Sequence, residues 1–214
     1  YKSIWLKEFY ISEKNHLAFF KNAPWSDLKA HELIHKSIPT NVNIHLGNST
    51  SVRYVQLFNN SKKLTFNGNR GVSGIDGSSS TAVGAASVTD ELTVLITGDL
   101  SFIYDQHALW NKEVPKNLKI IVVNNQGGGI FNIISGPKTT PYSKDFFETT
   151  HEISLEKLAA TYSINYQKAT NETQAAKCLN NIFKSKDVEI VELFTGNIKN
   201  EEVLNDYFRD IKKD

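Results

Sequence analysis

Hydrophobic positions along the chain fall into two alternating patterns. Short apolar runs in "VNIHLG" (42–47), "KLTFNGNRG" (63–71), "ELTVLITGD" (91–99), "LKIIVVNN" (118–125), "INYQK" (164–168) and "DVEIVELF" (187–194) read as strands, several ending in a turn. Runs such as "LKIIVV" lack the period-two pattern of a half-exposed strand, which suits a parallel sheet covered on both faces. Between the strands lie helical spacings: 26–38, with a Ser26 cap and a Pro39 stop, "SVRYVQLF" (51–58), the small-residue stretch "SSSTAVGAASV" (78–88), "SFIYDQHALWN" (101–111), and segments near 154–161, 171–184 and 199–212. This alternation predicts a doubly wound α/β domain with a mainly parallel sheet and helices on both faces. Residues 1–25 are aromatic-rich and helical in part, with Asn22, Pro24 and Trp25 marking a linker or boundary, so the domain is expected over 26–214. The segment "SGPKTTPYSKDFFETTH" (135–151), with two prolines and many polar residues, reads as a mobile loop.

Composition narrows the partners. With 214 residues, 40% hydrophobic and 22% charged, the chain can bury one substantial core. Its 24 basic and 23 acidic residues leave a net charge of +1, which gives no field to recruit nucleic acid or an anionic membrane. The lone Cys178 lies among helix formers and reads as a small buried apolar residue, and a chain without a disulfide framework suits a reducing, cytoplasmic compartment. No apolar run of the ~18 residues needed to span a membrane occurs. The chain opens at Tyr1 and has no methionine, so it is expected to be a piece of a longer product.

The spelling His31-Glu32-Leu33-Ile34-His35 matches the zinc-protease pattern, in which two histidines on one helix face hold the metal. Here Leu28, His31, Ile34, His35 and Ile38 form one apolar stripe, and between His35 and Asp76 there is no acidic residue and only His45 as a further histidine. The pair is therefore expected to be structural, as packed or half-exposed histidines.

In an open parallel sheet, ligands bind beyond the carboxyl ends of the strands. One strand ends in Gly98-Asp99 and another in Asn124-Asn125-Gln126-Gly127-Gly128-Gly129, with 23 residues (101–123) between Leu100 and Asn124. A carboxylate, an amide oxygen and a backbone oxygen suit Mg²⁺, which fills its octahedron with phosphate oxygens and water, and glycines allow close backbone approach to a diphosphate. No G-x-G-x-x-G opens a helix after a strand, which disfavours a nicotinamide dinucleotide site.

This spacing resembles the signature of the thiamine diphosphate enzymes: Gly-Asp, a couple of dozen residues, then Asn-Asn. The resemblance implies a diphosphate-binding domain with Asp99, Asn125 and Gly127 as Mg²⁺ ligands and Gly98, Leu100 and Ser101 beside the diphosphate; the family usually has glycine where Leu100 stands. "GNSTSVR", "GNRGVSGIDGSSSTAVGAA", "GDLSFIYDQHALWN" and "NNQGGGIF" resemble more narrowly the 2-succinyl-5-enolpyruvyl-6-hydroxy-3-cyclohexene-1-carboxylate synthases, decarboxylating carboligases of menaquinone biosynthesis. That likeness implies 2-oxoglutarate and isochorismate as substrates. It also implies Arg53, Arg70 and Ser49 at the substrate carboxylates, Ile75 under the bent cofactor, and Ile130 and Phe131 as an apolar wall.

Further implications are a missing amino-terminal pyrimidine-binding domain from a neighbouring subunit, a homodimer or homotetramer, and residues 1–25 as the remnant of a middle domain. Arginine usage points the same way: only Arg53, Arg70 and Arg209 occur, two of them within these motifs, and a guanidinium fork binds carboxylates bidentately. Surface ion pairs are the rival reading of those arginines. Another thiamine diphosphate decarboxylase, an acetolactate-type synthase, or a noncatalytic nucleotide-binding or assembly domain are the alternatives for the chain.

Overall fold

The computed structural model describes residues 1–58, 62–134, 136–196 and 200–213; Ser135 of the expected loop and Lys199 of the expected last helix lie outside the described residues. Six strands, β1 (Val42–Leu46), β2 (Leu64–Gly68), β3 (Thr93–Gly98), β4 (Leu118–Asn124), β5 (Asn165–Ala169) and β6 (Glu189–Phe194), form one sheet in the order β2-β1-β3-β4-β6-β5. Every pairing is parallel. This is the doubly wound architecture that the unbroken apolar runs predict.

Alternation within those runs divides the core in two. Ile44, Val94, Ile96, Ile121, Val123, Val191 and Leu193 face one side and meet α2 (Asp27–Ser37) and α8 (Glu172–Ile182), where Cys178 is buried among them. Leu95, Ile120, Val122 and Ile190 face the other and meet α4 (Ser78–Ala86), α5 (Asp99–Tyr104) and α7 (Leu155–Thr161). A third cluster joins Phe20 of α1 (Lys2–Asn22) to Phe58, Leu204 and Tyr207, the last two from α9 (Asn200–Asp210). Trp5, Phe9 and Tyr10 of α1 stay exposed. Among the described residues no helix is long and apolar enough to cross a membrane.

Helix α2 begins where its sequence signals it, with Ser26 Oγ accepting from the Lys29 N–H at 3.3 Å. His31 is buried and its Nδ1 lies 2.7 Å from the Asp27 carbonyl, so Nδ1 carries the proton and donates. Its ring stacks on Tyr54 of α3 (Thr50–Val55), 4.9 Å between centroids, and His35 stacks on Phe58 at 5.3 Å. Both rings are packing groups between α2 and the segment after β1.

Two expectations need correction. Segment 101–111 is not one helix: α5 ends at Tyr104 and a 3-10 turn follows at Gln106–Trp110. The break falls at Asp105, whose buried carboxylate accepts from the Ser80 N–H at 2.7 Å and from the Ser80 hydroxyl at 2.6 Å in the first turn of α4. A residue 25 positions away thus overrides the local helical spacing. Segment 136–151 is also more regular than a loop, with a 3-10 turn at Pro137–Thr139 and a π-helical turn at Ser143–Glu148.

Asp105→Leu should leave the first turn of α4 without its acceptor and lower unfolding stability by about 1–3 kcal/mol, whereas Asp105→Asn keeps one acceptor and should lose less. Urea midpoints measure the order; equal losses in the two variants would contradict it.

Candidate functional site

The carboxyl ends of β1, β3 and β4 and the loop after β2 converge on a cavity of about 550 Å³. Ser49, Arg53, Arg70, Ile75, Gly98, Asp99, Leu100, Ser101, Asn125, Gly127, Ile130 and Phe131 all line it. Every residue that the resemblance assigns to metal, cofactor or substrate is therefore brought to one place.

On the floor, Asp99 is buried and its Oδ2 lies 2.9 Å from His151 Nε2. Asn125 donates through Nδ2 to Asp27 Oδ2 at 2.7 Å, while its Oδ1 is buried with no hydrogen-bond partner. A buried amide oxygen without a donor is costly unless something electropositive meets it, so the donor set of Asp99 and Asn125 fits a hard divalent cation. Asp27 completes the polar floor, its other oxygen accepting from Thr195 Oγ1 at 2.6 Å. Burial, with the Asp99 charge adding to it, pushes the Asp27 carboxyl up to about 6 despite its hydrogen bonds from Thr195 and Asn125. Burial likewise pushes His31 down to about 4, opposed by its hydrogen bond to the Asp27 carbonyl.

The glycine loop has specific steric reasons for its composition. A Cβ on Gly129 would sit 2.7 Å from Asn125 Nδ2, and one on Gly127 would sit 2.7 Å from the Glu148 carbonyl oxygen. That carbonyl accepts from the Gly128 N–H at 2.5 Å, and the Glu148 carboxylate accepts from Asn132. Segment 147–151 thereby closes over the loop, and the Phe147 ring meets Phe131 at 5.4 Å.

At the mouth, Arg70 Nη1 donates to Asn48 Oδ1 at 3.1 Å, and Asn48 Nδ2 donates in turn to the carbonyls of Asn69 and Gly74. Arg53 Nη1 donates to the Ser49 carbonyl at 2.7 Å. Among the described residues neither arginine pairs with a carboxylate, so the surface ion-pair reading finds no partner here. Ser101 Oγ donates to the Ile75 carbonyl at 2.6 Å, fixing the turn that carries Ile75 against α5.

Sequence reasoning missed Asp27, Asn48, His151 and Glu148. Asp27 looks like an ordinary acidic residue in a helix's first turn, and His151 like a polar loop residue; only their distant partners mark them.

The model of the thiamine pyrophosphate enzyme C-terminal TPP binding domain matches residues 46–193. The 2-succinyl-5-enolpyruvyl-6-hydroxy-3-cyclohexene-1-carboxylate synthase of Christiangramia forsetii is 43% identical over 201 residues, covering 94% of this chain and 35% of that one. The synthase of the same name from Porphyromonas gingivalis is 40% identical over 210 residues, covering 97% and 36%. Among solved structures, benzoylformate decarboxylase from Polynucleobacter necessarius superposes with a TM-score of 0.66 at 15% identity, covering 80% of this chain and 33% of that one. The thiamine diphosphate-dependent 4-hydroxybenzoylformate decarboxylase of Rhodococcus jostii RHA1 gives 0.63 at 19% identity, covering 82% and 33%. These two likenesses show the fold. The chain spans about a third of the length of the curated relatives it matches.

Buried Asp27 and His31 make opposite contributions to stability. His31 is neutral when folded, so its contribution is present above pH 6.5 and is lost as pH falls toward 4. Asp27, raised in the folded state, contributes below pH 3.8 and loses that contribution as pH rises through 6. At about 1.4 kcal/mol per unit each effect is roughly 3 kcal/mol, so they largely offset one another between about pH 4 and 6. In metal-free protein Asp27→Asn should remove one side, and its urea midpoint should then fall with acid more steeply than that of the wild type. Parallel curves would refute this balance.

Proposed function

The chain belongs to the thiamine pyrophosphate enzymes, matching their C-terminal TPP binding domain, and on that premise we propose that it is the diphosphate-binding part of a 2-succinyl-5-enolpyruvyl-6-hydroxy-3-cyclohexene-1-carboxylate synthase. In this reading Asp99, Asn125 and the Gly127 carbonyl hold Mg²⁺, and Gly98, Leu100 and Ser101 border the diphosphate. Ile75, which lines the same cavity, would pack against the cofactor. When bound, thiamine diphosphate supplies the electron sink for decarboxylation of 2-oxoglutarate and carbon–carbon bond formation with isochorismate.

Arg53 and Arg70, with Ser49, bind substrate carboxylates, and Ile130 and Phe131 form the apolar wall that excludes water. The observation that carries the substrate assignment is the pair of guanidinium groups at the cavity mouth with no carboxylate partner among the described residues. Both proposed substrates are dicarboxylates, and a planar fork matches a carboxylate in a way that an ammonium does not. A decarboxylase for a monocarboxylate such as pyruvate needs fewer such groups.

The remaining parts of this reading concern the rest of the enzyme. Residues 1–25 connect to a preceding domain, and the aminopyrimidine end of the cofactor is met by an amino-terminal domain of a neighbouring subunit in a cytoplasmic homodimer or homotetramer. The 214-residue chain alone should therefore bind Mg²⁺ and thiamine diphosphate weakly and should not turn over isochorismate; robust turnover by it would refute this division of labour.

In the intact enzyme Arg70→Lys should lower kcat/KM by roughly 30- to 150-fold, as expected for losing a charge-assisted contact of about 2–3 kcal/mol, while leaving cofactor affinity near the wild-type value. Asp99→Asn should weaken metal and diphosphate binding first. Steady-state kinetics beside a cofactor titration separates the two; an Arg70→Lys defect that vanishes with excess cofactor would remove the substrate role.

A further inference from the structure

The two side chains proposed to hold the cation each have one terminal atom engaged and one oxygen left over. Asp99 gives Oδ2 to His151 Nε2 at 2.9 Å, and among the described residues only His151 bonds its carboxylate. His151 Nδ1 in turn accepts the Ile153 N–H at 3.2 Å. A ring nitrogen that accepts carries no proton, so it is the Nε2–H that donates to Asp99.

Asn125 has the complementary arrangement. Its Nδ2 donates to Asp27 Oδ2 at 2.7 Å, and its Oδ1 is the buried atom without a partner. Only the NH₂ of an amide can donate to a carboxylate, so Asp27 decides which end of Asn125 is held and which is left unpaired. Asp27 is itself fixed, by Thr195 Oγ1 at 2.6 Å on its other oxygen and by its backbone N–H, which donates to Asn200 Oδ1 at 2.8 Å. Were the amide turned by half a revolution, its NH₂ would meet a cation with the wrong sign.

We propose that Asp27 and His151 are positioning residues for the divalent cation: Asp27 turns the Asn125 carbonyl oxygen toward it, and His151 ties down one oxygen of Asp99 so that the other is presented. They come from opposite sides of the site, Asp27 from the start of α2 and His151 from the segment before α7, and each acts through one ligand. Groups that orient metal ligands in this way raise affinity by fixing the ligand set before the metal arrives. This inference rests on the reading of Asp99 and Asn125 as Mg²⁺ ligands.

The test is the Mg²⁺ dissociation constant of the intact enzyme, measured by calorimetry at saturating thiamine diphosphate. Asp27→Leu and His151→Leu should each weaken Mg²⁺ binding about 10- to 100-fold, the usual cost of losing an orienting group. Asp27→Asn keeps an oxygen to accept from Asn125, with the new NH₂ turned to Thr195, and His151→Gln keeps an N–H near the position of Nε2; both should recover most of the loss.

Leucine variants that bind Mg²⁺ as the wild type does, or conservative variants that lose as much as the leucine ones, would overturn the inference. If Asp27→Leu does not fold, the His151 pair decides the question by itself. The metal reading is tested separately by Asp99→Asn. Should that variant and the wild type take up thiamine diphosphate equally with and without Mg²⁺, the metal reading fails and the positioning roles fail with it.

Discussion

The register in which β3 lies beside β4 fixes the rest of the molecule. Gly98 pairs with Val123, so Asp99 and the Asn124-Asn125 pair leave the sheet side by side. Slipping β4 by one residue would turn each of its side chains to the opposite face. Ile120 and Val122 would leave one core layer as Ile121 and Val123 left the other, and Asn125 would no longer stand over Asp27. The hydrophobic alternation that builds two dry layers is thus the same constraint that spaces the polar groups at the sheet's end. Packing supplies the accuracy that the polar contacts need.

Holding those polar groups takes unusual backbone. Ser49, Ser73, Gln126 and Thr149 have positive φ, and all lie at or beside the cavity. Such conformations cost on the order of 1–3 kcal/mol each in non-glycine residues and persist only where neighbours over-determine them. Asn124 does this for Gln126: its Oδ1 accepts the Gln126 N–H at 2.9 Å, its Nδ2 donates to buried Glu192 at 2.9 Å, and its backbone carbonyl accepts from Thr195. The first asparagine of the pair shapes the loop, leaving the second to face the cavity.

What could be read from the sequence follows from the range of the interactions involved. Strands β3 and β4 were legible because burial on both faces leaves a continuous apolar run, and the cavity residues because parallel sheets collect ligands at strand ends. The break at Asp105 was not, since its cause is a hydrogen bond to Ser80 on another helix. Asp27 and His151 escaped for the same reason, lying 98 and 52 positions from the side chains they touch. The His31–His35 spelling misleads in the opposite sense: a short-range pattern suggests a metal site, while stacking on Tyr54 and Phe58 supplies its physical role.

The hydrogen bond between Thr195 and Asp27 spans 168 positions, joining the end of the last strand to the start of the helix that precedes the first. Closing so long a segment loses chain entropy that only the completed sheet can offset. Loop closure has to be met before a contact of this separation can reward it. The polar floor therefore does not exist in a half-assembled chain, and a ligand that requires it senses, in effect, whether the whole domain has finished folding.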